Sequence, residues 1–77
     1  MKDSIRTFIV DSLLSGTEIA NDDDLLLSGL LDSMSVMRLV LHLETTFSVT
    51  VPPEDVVIEN FTSVETIAAY LERRQAA

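Results

Sequence analysis

The 77-residue chain contains no cysteine and no tryptophan, one histidine, two glycines, two prolines and only five lysines and arginines. Without cysteine there is no disulfide framework, no thiolate metal site and no cysteine nucleophile, so any thiol chemistry must be brought in from outside. A single histidine among scattered acids gives no metal-hydrolase ligand set, and no metal site is expected. No apolar run approaches the roughly 20 residues of a membrane span. Met1-Lys2-Asp3 leads into a helix rather than a signal sequence, so a soluble, cytoplasmic protein without membrane insertion is expected. Positive charge is scarce too: thirteen acids leave a formal charge of −8. That balance repels nucleic acid and anionic membrane surfaces and favours basic protein partners.

What remains is a folded composition, 47% hydrophobic, in a chain of single-domain length (1–77). So small a domain has little area to set against chain entropy, which leaves only a compact, locally connected fold. A monomer is the simplest expectation.

The pattern centres on Gly29 to Phe47, GLLDSMSVMRLVLHLETTF. Asp32 is a good N-cap, since its short carboxylate accepts from orphan amides and its charge suits the positive end of the helix dipole. Ser33 then sits in the first turn. At 100° per residue, Val36, Leu39, Val40, Leu43 and Phe47 share an arc of about 100°, the stripe of a helix packed on a core. Met34, Met37 and Leu41 form a second stripe, expected to face solvent as a docking surface beside the serine.

Before this helix, Ile5, Phe8, Ile9 and Leu13 recur at helical spacing; Asp3 or Ser4 can cap that first helix and Ser15-Gly16 stop it. Residues 15 to 32 form a long connection, with Leu25, Leu26, Leu27, Leu30 and Leu31 expected to anchor it over the bundle and Asp22 to Asp24 a solvated charge run. An EF-hand fails here, because counting from Asp22 places Leu26 and Ser33 where ligands should be. After Phe47, Pro53 to Val57 reads as a short third helix opened by proline and acids. Thr62-Ser63-Val64-Glu65 reads as a capping box for a fourth, with Thr62 as N-cap, and Val64, Ile67, Ala68 and Leu71 as its core face. The architecture expected is an all-α four-helix bundle: three long helices, a short third and a long loop between the first two.

A serine at a helix N-terminus invites a nucleophile reading. His42 lies nine residues on, about 13.5 Å along the axis and half a turn round, so a Ser33–His42 dyad is excluded. Asp32, if capping, is poorly placed as a base and an unperturbed carboxylate is a weak one. The chain presents a hydroxyl and has no means of using it alone, which argues against an enzyme and for a serine modified by something else.

Gly29-Leu30-Leu31-Asp32-Ser33-Met34, followed by Val36, Leu39-Val40, Leu43-Glu44 and Phe47, then Val51-Pro52 and Asn60-Phe61 before the last helix, resembles the acyl carrier protein superfamily. The resemblance covers about residues 4 to 72. It implies that Ser33 receives 4′-phosphopantetheine from coenzyme A through a phosphopantetheinyl transferase, with Asp32 helping that complex hold its magnesium. It further implies an arm thiol carrying acyl or aminoacyl groups as thioesters, loaded by an acyl- or aminoacyl-activating ligase and presented to downstream acyl-processing enzymes. Those partners would dock on the second helix at Met34, Met37, Arg38 and Leu41. In fatty-acid carriers that helix is strongly acidic, whereas here Glu44 is its only acid and Arg38 faces outward. The Leu-Leu-Asp-Ser-Met form looks more like stand-alone carriers of D-alanine ligation and of specialised natural-product pathways than housekeeping fatty-acid carriers. Arg38 either rejects enzymes with basic docking faces or is a solvated arginine. The alternative function is a helical interaction module, or a degenerate carrier, with an unmodified serine.

Overall fold

The computed structural model describes residues 1–76, and every regular element among them is helical. Helix α1 (Lys2–Phe8) runs on into a wider π-helical segment, Ile9–Leu13. After a long loop come α2 (Ser33–Phe47), a 3₁₀ turn (Pro53–Asp55), α3 (Ile58–Phe61) and α4 (Val64–Ala76). The expected all-α bundle with a short third helix is the observed one.

Helix α1 begins earlier than its acids suggest. The amide of Ile5 donates to the carbonyl of Met1 at 3.1 Å, and neither Asp3 nor Ser4 caps the helix. Asp3 instead meets Arg6 at 3.5 Å, an exposed pair of small energetic weight. The helix ends where expected. Ser15 and Gly16 take positive φ of 54° and 91°, and the Gly16 amide closes back on the Val10 carbonyl at 2.8 Å, which satisfies one of the last orphan carbonyls.

Ile5, Ile9, Leu39, Leu43, Val64, Ile67 and Leu71 are fully buried, so α1, α2 and α4 close on one core. Only part of the loop's leucine run joins it. Leu25 and Leu31 are buried, as is Ile19, but Leu27 and Leu30 stand 74% and 41% exposed. The expectation that all five leucines anchor the loop is therefore corrected. The Leu31 amide donates to the Leu25 carbonyl at 2.9 Å, and the chain between them, with Gly29 at φ 81°, forms a tip directed to solvent. Nor are Asp22 to Asp24 merely a solvated run. Asp23 accepts from the Ala20 amide at 2.8 Å, and Asp24 from those of Leu26 and Leu27 at 3.0 and 2.8 Å, the usual way a short carboxylate shapes a turn.

Two further expectations are corrected. The third helix does not run from Pro53 to Val57. Only a 3₁₀ turn forms at Pro53–Asp55; Val56 (φ −84°, ψ 76°) and the extended Val57 (φ −129°, ψ 163°) break it, and α3 begins at Ile58. β-branched Val56 and Val57 suit extended backbone better than a helix. The α4 cap is displaced by one residue. Ser63 Oγ accepts from the Thr66 amide at 3.2 Å while Thr66 Oγ1 accepts from the Ser63 amide at 3.0 Å. The Thr62 hydroxyl donates instead to the Ile58 carbonyl, leaving Glu65 exposed.

Candidate functional site

The site begins at the turn delivering Ser33. Leu31, 4% exposed, plugs the end of the loop into the core. Asp32 follows in extended backbone (φ −100°, ψ −177°) as the N-cap of α2. Its Oδ1 accepts from the Ser35 amide at 2.8 Å, and its carbonyl from the Val36 amide at 3.0 Å. The Ser35 amide foremost, then the Ser35 hydroxyl, hold the Asp32 carboxyl below its ordinary pKa, so it stays ionised. Ser33 is thereby fixed as the first residue of α2, with an exposed side chain at the positive end of a 15-residue helix, where a phosphate is favoured.

Beside it runs a groove of about 520 Å³, lined by Leu26, Leu31, Val36, Met37, Val56, Val57, Ile58 and Phe61, with Asp32 and Ser33 as its polar members. Across α2 the two stripes separate as expected. Leu39, Val40 and Leu43 are buried, with Val36 and Phe47 packed partly against the core, while Met34, Met37 and Leu41 are 73%, 59% and 62% exposed. Arg38 is exposed on the same side. His42 is not brought to Ser33: its ring stacks on Phe8 with centroids 3.8 Å apart and planes 9° from parallel.

Sequence reasoning missed the support of this face. Glu44 turns its carboxylate to the Val51 amide at 2.9 Å. Tyr70, expected only to flank the α4 stripe, is buried and donates to Asp55 Oδ2 at 2.6 Å, tying the 3₁₀ turn to α4. The exposed apolar set also extends beyond α2, to Val57 and Ile58 and to Leu27 and Leu30.

The helical bundle thus holds out a solvent-facing serine behind the Asp32 cap. The sequence model described as "Phosphopantetheine attachment site" matches residues 4–71. The D-alanyl carrier protein of Lactococcus lactis subsp. cremoris (strain MG1363) is 32% identical over 77 residues, covering 96% of this chain and 95% of the relative. That of Streptococcus suis (strain 98HAH33) is 36% identical over 52 residues, 68% of this chain and 66% of the relative. Among solved structures, a chain described as "Crystal structure of FAD-dependent dehydrogenase" superposes with a TM-score of 0.81 at 32% identity, covering 87% of this chain and 97% of that one.

The chain belongs to the phosphopantetheine-attachment family of acyl carrier proteins. It is a non-catalytic carrier, and its cofactor is covalently attached 4′-phosphopantetheine. The site fits such a group. The Ser33 side chain is exposed, its hydroxyl has no hydrogen-bond partner among the described residues, and the apolar groove alongside is open enough to lie against.

Proposed function

We propose that this carrier bears its arm on Ser33 and holds a small aminoacyl group as a thioester for transfer between partner enzymes. The observation supporting this most directly is the placement of Ser33, exposed and first in α2 behind the Asp32 cap. In the loading step the Ser33 oxygen forms a new bond to the β-phosphorus of coenzyme A. The bond from that phosphorus to the bridging oxygen breaks, adenosine 3′,5′-bisphosphate leaves with the electron pair, and the serine proton passes to a base on the transferase. The ionised, exposed Asp32 helps that complex hold magnesium. The arm supplies the thiol that this cysteine-free chain lacks. The similarity to D-alanyl carrier proteins supports an aminoacyl cargo and a cell-envelope pathway, with an aminoacyl-activating ligase as the loading partner.

The test is the intact mass of the purified protein before and after incubation with coenzyme A, magnesium and a broad-specificity phosphopantetheinyl transferase, with Ser33→Ala alongside. One arm's mass gained by the wild type and not by the variant is the expected result. A gain that survives Ser33→Ala moves the attachment to another serine, Ser35 first. No gain in a protein not already modified on purification returns the chain to a helical interaction module.

A second reading of the downstream partner has its own support. The chain matched under a dehydrogenase description is almost wholly covered by this one, and is therefore itself of carrier size. On that reading a flavin-dependent dehydrogenase acts on the tethered acyl group, two electrons and two protons passing to the flavin. Loss of two hydrogens from the cargo of the loaded protein, on adding such an enzyme, would favour it.

A further inference from the structure

Three of the chain's four arginines have partners among the described residues. Arg6 pairs with Asp3. Arg73 donates to Asn60 Oδ1 at 3.2 Å and lies over the Tyr70 ring, and Arg74 donates to the Thr50 carbonyl at 3.0 Å. Arg38 alone of the arginines has neither an ion pair nor a hydrogen bond among the described residues. It stands exposed on α2, five residues beyond Ser33, about 7.5 Å along the axis. At that position it is a surface neighbour of Met34, four residues before, and Leu41, three after. The one acid of α2, Glu44, is held by the Val51 amide at 2.9 Å and lies about 120° round the helix from Arg38. The acids of the loop and the 3₁₀ turn likewise belong to other elements.

An enzyme that reaches Ser33 by covering Met34, Met37 and Leu41 must therefore cover Arg38 as well. Removing an unpaired guanidinium from water is costly unless the partner supplies a carboxylate, and a lysine or arginine opposite adds repulsion. We propose that Arg38 is a specificity-determining residue of the docking face: it selects enzymes whose apolar socket carries a carboxylate beside it and rejects enzymes with a basic socket. The chain's remaining acids would repel such a partner at long range, so selection acts at contact and through the lifetime of the complex. This inference rests on the carrier reading of Ser33.

The experiment compares wild type, Arg38→Ala and Arg38→Glu, each checked for unchanged circular dichroism, as substrates for two probes. The first is a transferase chosen for a carrier-facing surface rich in lysine and arginine. Its kcat/KM is expected to rise from wild type through alanine to glutamate, by about tenfold end to end at low salt, with the spread closing at high salt. The second is a broad-specificity transferase together with its variants in which each carrier-facing lysine or arginine is changed in turn to glutamate. At least one such reversal is expected to improve loading of the wild type and to impair loading of Arg38→Glu. Loading that is indifferent to residue 38 with both probes overturns the inference and leaves the carrier reading intact. Failure of all three proteins to load with either probe overturns both.

Discussion

Leu41 and Leu43 offer the same side chain two positions apart on one helix, at opposite extremes of environment. Leu43 is fully buried and Leu41 is 62% exposed. Truncating a buried leucine to alanine removes its transfer energy and leaves a cavity, together about 2–5 kcal/mol. A domain of this length has roughly 4–12 kcal/mol of stability in all. Leu43→Ala at about 3 kcal/mol therefore removes a quarter or more of it and lowers Tm by roughly 12–24 °C. Leu41→Ala loses only the minor part of its area from contact, less than about 1 kcal/mol, and recovers a few tenths because alanine is the better helix former. Its Tm should move by no more than a few degrees. Urea unfolding followed by far-ultraviolet circular dichroism separates the two, with an unchanged m-value showing that the unfolded states match. Equal losses in the two variants, or a loss below about 1 kcal/mol at Leu43, would refute the division of α2 into a core face and a free face. In transferase assays the order reverses, with Leu41→Ala raising KM and Leu43→Ala leaving it unchanged at temperatures where the protein remains folded.

Tyr70→Phe removes the hydrogen bond to Asp55 and should cost about 1.5–3 kcal/mol at neutral pH, since the acceptor is a carboxylate. Burial first, and then the Asp55 bond, push the Tyr70 hydroxyl from 10.0 up to about 12. The neutral form is thus the one the fold prefers: its contribution is whole below pH 10 and disappears as pH rises through 12. Thermal melts across that range should fall more steeply for wild type than for Tyr70→Phe, and parallel curves would count against the bond. Ser48 caps α2 with φ 54° and ψ 45°, a left-handed conformation that costs a residue with a Cβ and not glycine. Ser48→Gly should raise stability by about 0.5–1 kcal/mol, and a lower Tm would show that the serine side chain contributes something its bonding does not reveal.

The elements legible in the sequence were those whose signals are local. Asp32 caps from the preceding position and the α2 stripes follow from spacing alone, so the helix, its start and its two faces could be read directly. At α4, Thr62 and Ser63 are both able caps. The choice falls to Ser63 because Thr66 returns its bond and the Thr62 hydroxyl is drawn to Ile58. Pro53 and its acids do begin a helical turn, but Val56 and Val57 do not sustain it, and the Asn60 side chain meets the Asp55 carbonyl at 2.9 Å across the break. Tyr70 could not be assigned its partner, because Asp55 is brought to it only by the fold. The alternation within the leucine-rich loop was hidden for the same reason: Leu25 and Leu27 are alike by type and differ only in which side of a turn they occupy.

The loop that delivers Ser33 is stitched to the far end of the chain. The Leu25 amide donates to the Thr62 carbonyl at 2.7 Å, and the Glu65 amide to the Asn21 carbonyl at 3.0 Å. The Thr62 hydroxyl in turn holds Ile58, and Leu31 hangs from Leu25. These bonds join the approach to the serine, the short α3 and the first turn of α4 into one backbone-linked unit. Segments linked in this way open cooperatively rather than one at a time. The turn that presents the hydroxyl would accordingly loosen only together with α3 and the start of α4, because Leu25, Leu31, Phe61 and Val64 anchor all three in the one core.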